Sequence, residues 1–564
     1  MPKLTRRVLL SATATGTLTL PACTTPNFLR SSRNIGEVRF IHGVASGDPL
    51  HDRIILWTRV TPDDKSAKVE VGYEVIDATT GLIATSGAVF TDASRDFTVK
   101  VDATGLNAAT PYTYKFTVLN SDAEVVSPIG RTRTTALSGD APVRIAVVSC
   151  SNWQFGFFNA YQSIAEEEPL DAIVHLGDYL YEYGIDGYGG ETAKALNRKH
   201  DPEYEIVTLS DYRRRHAQYR SDVSAQSAHA AAPWICTWDD HESTNNSYRT
   251  GAENHDPDQG EGSWSDRKQV AIQAYFEWMP IREPKGNLRS AAWRSFTFGD
   301  VATLHALESR LTGRSEELSW AEAIGDATDP EDISNRVQDY VPKVLAPERT
   351  LLGKEQEDWL ANELSASSGS GKTWQILANQ VIMARVKLPN LTRTLSPETI
   401  GKQIEYVQNM IGFSALGMPM NLDAWDGFPA ARDRLYAAAK SANARLITLT
   451  GDTHEAWANN LHDATGEQRG VEFGCTSVTS PGTDAYVKDI SNLGERMAAA
   501  NSEVIWNKPE GHGYTIVTFT DKSALAEYRE VSTVLEERST TKTVARFTTR
   551  RTSNSLTPLA KHLT

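Results

Sequence analysis

Five short apolar runs between residues 143 and 454 are each followed, two residues later, by a side chain that can bind a cation. The runs and these side chains are Val143–Val148 with Cys150, Ala172–Leu176 with Asp178, Trp234–Trp238 with Asp240, Trp374–Leu377 with Asn379, and Leu446–Thr450 with Asp452. Loops at strand ends are held by a rigid scaffold, and chemistry collects there in α/β sheets. One such ending is most simply a turn, but five in one domain are hard to explain as turns. The pattern predicts a metal centre.

Asp178 is the best candidate for a ligand that bridges two cations. A carboxylate can give one oxygen to each of two metal ions, which lie about 3.5–4 Å apart in two-metal sites. Cys150 is a candidate thiolate ligand, because a bound metal removes the thiol proton. The alternatives are a turn aspartate and a buried apolar cysteine. Cys236 and Cys475 are interpreted as buried apolar cysteines, and the wide cysteine spacing indicates no disulfide framework.

Seven short motifs stand in order along the chain. They are Gly43-Val44-Ala45-Ser46-Gly47-Asp48-Pro49, Leu56-Trp57-Thr58-Arg59, Ser149-Cys150, Gly177-Asp178-Tyr179-Leu180-Tyr181, Trp238-Asp239-Asp240-His241-Glu242, Trp425-Asp426-Gly427-Phe428-Pro429 and Gly451-Asp452-Thr453-His454. Together they cover most of the chain and resemble the PhoD family of alkaline phosphatases and phosphodiesterases, within the metallophosphoesterase superfamily. The resemblance implies an α/β fold whose catalytic domain is a central β-sandwich flanked by helices.

The resemblance also implies two sets of metal ligands that share one aspartate. The implied ligands of a ferric ion are Cys150, Asp178, Tyr181 as phenolate, and His454, and those of a second cation are Asp178, Asp240, Asn379 and Asp452. The second set is almost entirely oxygen, which suits Ca²⁺ better than Zn²⁺. The expected cofactors are therefore Fe³⁺ and one or two Ca²⁺ ions.

His241 directly follows a predicted ligand and is expected to face the substrate, so His241 and Asp240 are the predicted catalytic residues. The imidazole could protonate the leaving oxygen or bind a phosphoryl oxygen. The alternative is a supporting histidine held by Glu242. Arg310 could clamp a phosphate. However, the family usually has an acidic residue before such an arginine, whereas Ser309 stands here, and a surface arginine is the commoner case.

The expected reaction is hydrolysis of phosphate monoesters, diesters or both. Metal ions lower the pKa of a bound water towards about 7, and the hydroxide then attacks phosphorus in line without a covalent phosphoenzyme. One alternative is a phosphodiesterase that acts on lipid or cell-wall polymers. The alternative from another class is an anchored binding protein with an inactive hydrolase domain.

The composition of the chain changes near residue 137. Residues 37–136 contain short alternating strand patterns separated by turn residues, which predict an N-terminal immunoglobulin-like or fibronectin-like β-sandwich. Residues 137–535 alternate apolar strands with helical stretches, as in a layered catalytic domain. Residues 536–564 carry several lysines and arginines and are predicted to be a solvated tail. Helices are predicted over Phe158–Glu168, Asp211–Ala231, Ser265–Trp278, Lys354–Ser365 and Ala430–Ala442.

The first 36 residues are predicted to be an export segment with a short linker. Arg6 and Arg7 precede a weakly apolar run, as in a twin-arginine signal, so the export machinery is an expected partner. The run ends in Leu20-Pro21-Ala22-Cys23, which resembles a lipobox. Cys23 would then be a lipid anchor on a periplasmic or surface protein. The alternative is ordinary cleavage nearby, with Cys23 discarded.

The formal net charge of −15 argues against a nucleic-acid-binding protein, because no basic stripe accompanies the candidate site. Nucleic acid is therefore not an expected partner, except as a possible substrate. The expected partner at the site is a phosphoester. Its negative charge needs local positive charge, which bound cations can supply.

Overall fold

A computed structural model describes residues 36–562, except 285–291, 328, 394, 402–407, 409–410, 412–413 and 488–489. The predicted export signal, with Arg6, Arg7 and Cys23, lies outside the described residues. Within the described part of the chain, no helix is both long and apolar enough to cross a bilayer.

Two large sheets form the centre of the molecule. In spatial order, the ten-stranded sheet contains β26 (Ala560–His562), β25 (Thr541–Arg550), β24 (Ser523–Val531), β23 (His512–Phe519), β11 (Val143–Val148), β12 (Ala172–His175), β13 (Trp234–Cys236), β2 (Val44–Gly47), β3 (Arg53–Arg59) and β7 (Thr98–Thr104). The seven-stranded sheet contains β16 (Arg294–Phe298), β17 (Ala302–Ala306), β18 (Trp374–Ala378), β19 (Leu446–Thr450), β21 (Gln468–Gly474), β20 (Ala456–His462) and β22 (Val504–Lys508).

The two sheets pack face to face over a shared apolar core. Val174 and Ile235 from the first sheet belong to the same buried cluster as Ile376 and Ile447 from the second. The outer faces bury their own side chains against helices. The helices are Asn159–Ala165, Gly190–Leu196, Leu209–Ser221, Val223–Ala231, Trp264–Trp278, Trp320–Ile324, Pro330–Val344, Lys354–Gly369, Pro397–Gly401, Pro429–Ser441 and Leu493–Ala500. This arrangement confirms the predicted α/β sandwich flanked by helices.

The N-terminal region is rich in β-structure, as predicted, but it shares a sheet with the catalytic region. Its separate sheet consists of β10 (Gly130–Arg133), β8 (Pro111–Val118), β5 (Val69–Asp77) and β6 (Ile83–Thr91), with β9 (Val125–Val126) paired to β8. That sheet packs against β2, β3 and β7 through a single apolar cluster. Strand β2 also pairs with β13, at Gly47 and Trp234. Two further short antiparallel pairs are β1 (Val38–Arg39) with β4 (Thr61–Pro62), and the hairpin of β14 (Ser247–Tyr248) with β15 (Gly251–Ala252).

Two local predictions from the sequence are wrong. The helix predicted over Asp211–Ala231 is two helices, because Asp222 adopts an extended backbone and its carboxylate caps the second helix. The solvated tail is instead part of the large sheet, since β25 pairs along β24. Alternate side chains of β25, such as Phe547, are buried in the central core, while its charged residues lie on the other face. The prediction of a solvated tail considered only the charged residues.

Strand direction determines where the predicted ligands lie. Strands β11, β12 and β13 are parallel neighbours, as are β18 and β19. The carboxyl ends of parallel strands meet at one edge of their sheet. The five loops that carry the candidate ligands are therefore delivered to the carboxyl edges of two sheets that face each other.

Candidate active site

Two groups of potential metal ligands meet at Asp178. Single ligand atoms of Cys150, Asp178 and His454 all lie within 4.8 Å of one another. The same limit of 4.8 Å holds for Asp178, Asp240 and His241. One carboxylate thus belongs to a sulfur- and nitrogen-containing group and to a second group that contains another carboxylate. Asp178 thus lies where one carboxylate could bind two cations, and its bridging role stays a prediction.

The ligand loops leave their strands in an uncommon backbone conformation. Cys150, Asp178, Asp452 and His454 have φ angles of 61°, 55°, 64° and 61°. Residues other than glycine avoid this region, at a cost on the order of 1–3 kcal/mol each when the surroundings impose it. Here the surrounding loops do so: the Cys150 amide donates to the Gly177 carbonyl at 3.2 Å. The strain turns each side chain towards the common centre immediately after its strand.

Two glycines allow the ligand loops to approach one another closely. Gly177 has φ +108°, and a Cβ there would lie 2.4 Å from the Asp239 amide nitrogen. A Cβ on Gly451 would lie 2.4 Å from the Ser149 hydroxyl oxygen. A side chain at either position would push two ligand loops apart. The glycines that precede Asp178 and Asp452 are therefore needed for packing between loops.

Glu242 clamps two of the loops from behind. Its carboxylate accepts hydrogen bonds from the amides of Asp178 at 3.1 Å, Tyr179 at 2.6 Å and Asp239 at 2.9 Å. It is buried and does not bond the His241 ring, so the alternative in which Glu242 holds His241 is wrong. The Glu242 carboxyl group instead fixes the distance between the Asp178 loop and the Asp240 loop.

Glu182 is the residue that holds His241, and the sequence did not reveal it. Its Oε2 lies 2.7 Å from His241 Nδ1, while its Oε1 accepts from the Asn245 amide at 2.8 Å. His241 Nδ1 is therefore the donor, and Nε2 is the nitrogen left for the cavity. The only available signal was position, since Glu182 directly follows Tyr181. Glutamate at that position is not distinctive without the fold.

Tyr181 and His454 are oriented towards Asp178. The Tyr181 hydroxyl donates to Asp178 Oδ2 at 3.1 Å and lies 3.3 Å from His454 Nε2. His454 Nδ1 donates to the Pro481 carbonyl at 2.9 Å, which leaves Nε2 as the ligand nitrogen. Burial, followed by the Asp178 charge, raises the pKa of the Tyr181 phenol and of the Cys150 thiol well above their usual values. A bound cation would reverse this preference and favour both anions.

The buried carboxylates of the site are better suited to binding a cation than to remaining without a partner inside the protein. Asp178 Oδ1 and Asp240 Oδ1 are buried and have no hydrogen-bond partner within the described chain. Burial, with the charges of Asp240 and Asp239, raises the pKa of Asp178 well above its usual value. Unpaired buried carboxylate oxygens are costly, whereas oxygen is the ligand that hard cations prefer. The donor set therefore fits a metal centre.

Asn379 and Asp452 are placed at the ends of β18 and β19, as predicted. Asn379 Oδ1 accepts from the Trp425 indole at 3.2 Å, and its amide donates to the Val381 carbonyl. Asp452 Oδ1 lies 3.7 Å from Arg310 Nη2. Asn379 is the first residue after β18, and Asp452 is the second residue after β19. Their roles as ligands of a second cation stay predictions.

Arg310 is not placed to clamp a phosphate. Its guanidinium is fully buried and bonds both oxygens of Asp423, at 2.6 and 2.8 Å, together with Asp239. Its Nη2 also lies 3.8 Å from Asp240 Oδ1. The positive charge therefore compensates carboxylates inside the protein. Asp423 was missed because it lies 113 residues from Arg310 and carries no motif of its own.

A cavity of about 770 Å³ opens over these residues. Its base contains Asp178, Asp240, His241, Asp452 and His454, and its walls include Tyr183, Tyr188, Tyr248, Glu253, Glu316 and Glu317. The volume exceeds what a phosphate needs, so a leaving group fits beside it.

Cys236 lies in the core cluster between sheet and helices, and Cys475 in the core between the sheets, as predicted.

Comparison with known proteins gives the same assignment over nearly the whole chain. The model of the PhoD-like phosphatase matches residues 145–528, and that of the PhoD-like phosphatase N-terminal domain matches residues 24–136. Alkaline phosphatase D of Bacillus subtilis (strain 168) is 34% identical over 544 residues, which cover 92% of this chain and 82% of that protein. A solved structure of PhoD aligns with a TM-score of 0.74 at 32% identity, covering 96% of this chain and 94% of that chain.

These likenesses confirm the family inferred from the motifs. The family is metal-dependent, in agreement with the two ligand groups that share Asp178. The protein is an enzyme that hydrolyses phosphoric ester bonds. The chain belongs to the PhoD-like phosphatase family.

Proposed function

We propose that this enzyme hydrolyses phosphate monoesters, diesters or both in the cavity above Asp178, with Fe³⁺ and Ca²⁺ as its cofactors. The observation that carries the proposal is the pair of ligand groups that share Asp178 at the base of an open cavity. Bound cations would supply charge that stabilises the phosphoryl oxygens and would lower the pKa of a bound water. The protein's own residues position these ligands and handle the proton.

The proton of the leaving group is assigned to His241. Its ring lines the cavity, and Glu182 fixes Nδ1 as the hydrogen-bonded nitrogen. Burial lowers the pKa of the His241 ring, but the charges of Asp240, Glu182 and Asp178 outweigh it and raise that pKa well above its usual value. Glu182 is not a predicted metal ligand, so its charge would still favour the protonated ring beside bound cations. A protonated imidazole with Nε2 towards the cavity can donate to a departing alkoxide. Glu182 is a positioning residue in this scheme.

Replacing Glu182 with glutamine is expected to lower kcat about 10²-fold, because the ring of His241 loses its fixed orientation and its charge partner. The loss should be larger for phenyl phosphate than for p-nitrophenyl phosphate, since the poorer leaving group depends more on proton donation. KM and metal content should stay close to wild type. Equal losses for both substrates would contradict a role in proton donation. Glu203→Gln, on an exposed loop nearby, is the matched control.

The metals are proposed from the donor chemistry. A thiolate, a phenolate and an imidazole suit Fe³⁺, whereas the carboxylate and amide oxygens suit Ca²⁺. Elemental analysis and the visible spectrum of the purified protein test this assignment. A violet or purple colour from a ferric phenolate, absent in Tyr181→Phe, is the expected result. A colourless protein that contains only zinc would refute it.

The cavity volume favours substrates larger than free phosphate but does not separate monoesters from diesters. Comparing turnover of p-nitrophenyl phosphate with that of bis(p-nitrophenyl) phosphate tests the preference directly. A diester preference would support action on lipid or cell-wall polymers. Metal-loaded protein that turns over neither ester would favour the alternative of a binding protein with an inactive hydrolase domain.

Export remains a proposal from the first residues of the chain. The Arg6-Arg7 pair supports transport by the twin-arginine machinery to the periplasm or cell surface, and Cys23 supports a lipid anchor. Both proposals are tested by fractionating cells that express the wild type, the double variant Arg6→Lys/Arg7→Lys or the variant Cys23→Ser. The double variant tests export, and Cys23→Ser tests the lipid anchor. Retention of activity outside the cytoplasm in the double-lysine variant would contradict the signal. Unchanged membrane association of Cys23→Ser would contradict the anchor.

A further inference from the structure

One arginine is buried behind the ligand loop without a negative partner. Arg220 lies near the end of the helix Leu209–Ser221 and is fully buried. Its Nη2 donates a long hydrogen bond, 3.4 Å, to the His42 carbonyl, and the Tyr179 hydroxyl lies beside the guanidinium. Its Nε and Nη1 have no hydrogen-bond partner in the part of the chain that is described. The Trp57 ring lies 4.4 Å from the guanidinium carbon.

Arg220 differs in this respect from the other fully buried arginines of the described chain. Arg267 bonds Glu205 at 2.7 Å and Glu261 at 2.8 Å. Arg310 and Arg314 both bond Asp423. Arg215 has no carboxylate but donates to several backbone carbonyls, including that of Pro202 at 2.9 Å. Among the fully buried arginines of the described residues, Arg220 alone has neither a carboxylate nor a set of carbonyls, so its charge and two of its nitrogens need another partner.

The groups that surround Arg220 are neutral hydrogen-bonding side chains with unused atoms. Both ring nitrogens of His216 and the Nδ1 of His229 are buried without partners among the described residues, and the Tyr114 hydroxyl lies beside Ser46. His216 lies one turn before Arg220 on the same helix, and the Tyr179 ring centroid lies 6.4 Å from that of His216 and 5.7 Å from that of His229. Burial lowers the pKa of His216 to about 3, and that of His229 well below its usual value, so both rings are neutral.

The hydrogen-bond polarity of this cluster indicates which kind of ligand would complete it. Tyr179 Oη lies 3.1 Å from His229 Nε2, and when the hydroxyl donates there, His229 Nδ1 carries the free proton. Arg220 Nε and Nη1 are donors only. The unused atoms are therefore mainly donors gathered around a positive charge. A water molecule could accept some of these bonds but would leave the charge uncompensated, whereas a small anion would accept them and neutralise it.

We propose that Arg220, His216, His229, Tyr114 and Tyr179 form a buried binding site for a small monovalent anion of the halide class. The site lies between the N-terminal β-region, which contributes Tyr114, and the two helices that end at Ser221 and Ala231.

The anion site would support the metal-binding loop from the rear. Tyr179 directly follows Asp178, and its amide donates to Glu242 at 2.6 Å. Its side chain points the other way, into the cluster that contains His229 and Arg220. An anion that fixes Tyr179 would therefore also fix the backbone of Asp178. Its loss is expected to loosen the loop and the metals that the loop holds.

Bromide soaks of crystals of the metal-loaded, full-length protein test the site directly, because bromide replaces chloride and scatters anomalously. An anomalous peak within hydrogen-bond distance of Arg220 Nε is the expected result. In solution, the Tm of the same protein should rise by about 2 °C or more, in a saturable way, when chloride replaces gluconate at constant ionic strength. Arg220→Gln should abolish this rise.

Arg214→Gln is the matched control, because Arg214 lies on the same helix but is exposed and pairs with Asp201. This variant should keep the chloride-dependent rise in Tm. A soak that shows no anomalous peak near Arg220, with water density in its place, would overturn the proposal. An equal rise in Tm in wild type and Arg220→Gln would also overturn it. If Arg220→Gln does not fold, the bromide soak and the chloride dependence of Tm in the wild-type protein still test whether the anion binds.

Discussion

Asp178→Asn is expected to lower kcat/KM at least about 10³-fold, a loss on the order of 4 kcal/mol of transition-state stabilisation. Asparagine keeps the shape of the side chain but removes the charge that both ligand groups share. A neutral amide cannot bridge two cations as a carboxylate does. Steady-state kinetics with a p-nitrophenyl ester, together with elemental analysis of the same preparation, should show that activity and metal content fall together.

Asp186→Asn is the matched control for this experiment. Asp186 lies eight positions further along the same loop region, and its side chain is 93% exposed. Full activity and metal content are expected for it. Loss of activity in Asp178→Asn with both metals retained would contradict a bridging role and point to a role in proton transfer. Full activity in Asp178→Asn would contradict the location of the active site.

The strand endings made the positions of the candidate ligands predictable from sequence. Each endpoint combined an apolar run with a polar residue two positions later, and parallel pairing of β11, β12 and β13 then brought the endings to one edge. The resemblance to the family supplied the predicted grouping of these residues around shared ions. In the structure Asp178 belongs to both groups of potential ligands, because short-range patterns determine both the strands and the loops, and its bridging role stays a prediction.

The supporting residues were not predictable, because their partners are distant in sequence. Glu182 meets His241 across 59 residues, and Asp423 meets Arg310 across 113. Neither glutamate nor aspartate carries a local signature for such a contact. The C-terminal strand β25 was missed for a related reason. Its alternation is visible only when the buried face is known, and its lysines and arginines lie on the opposite, solvated face.

Arg310→Met is expected to lower the free energy of unfolding by about 3–5 kcal/mol, because it leaves the buried Asp239 carboxylate without its positive partner and Asp423 with Arg314 alone. The guanidinium bonds Asp423 and Asp239, and it lies within 4 Å of Asp240 and Asp452. Urea unfolding followed by fluorescence measures this change. Arg336→Met is the matched control, since Arg336 also pairs with two carboxylates but is 40% exposed. Its effect should stay within about 0.5 kcal/mol.

Metal binding distinguishes this role of Arg310 from the phosphate clamp suggested by the sequence. Cations at Asp240 and Asp452 would neutralise part of the same negative charge, so the stability loss in Arg310→Met should be larger after chelation than in the metal-loaded protein. Asp239→Asn in the Arg310→Met background should restore part of the lost stability, because it removes the buried carboxylate that, among the described residues, only Arg310 pairs, whereas Asp423 keeps its bond to Arg314. A variant with unchanged stability but a raised KM for phosphoesters would instead support the clamp. That result would require Arg310 to leave Asp423 when substrate binds.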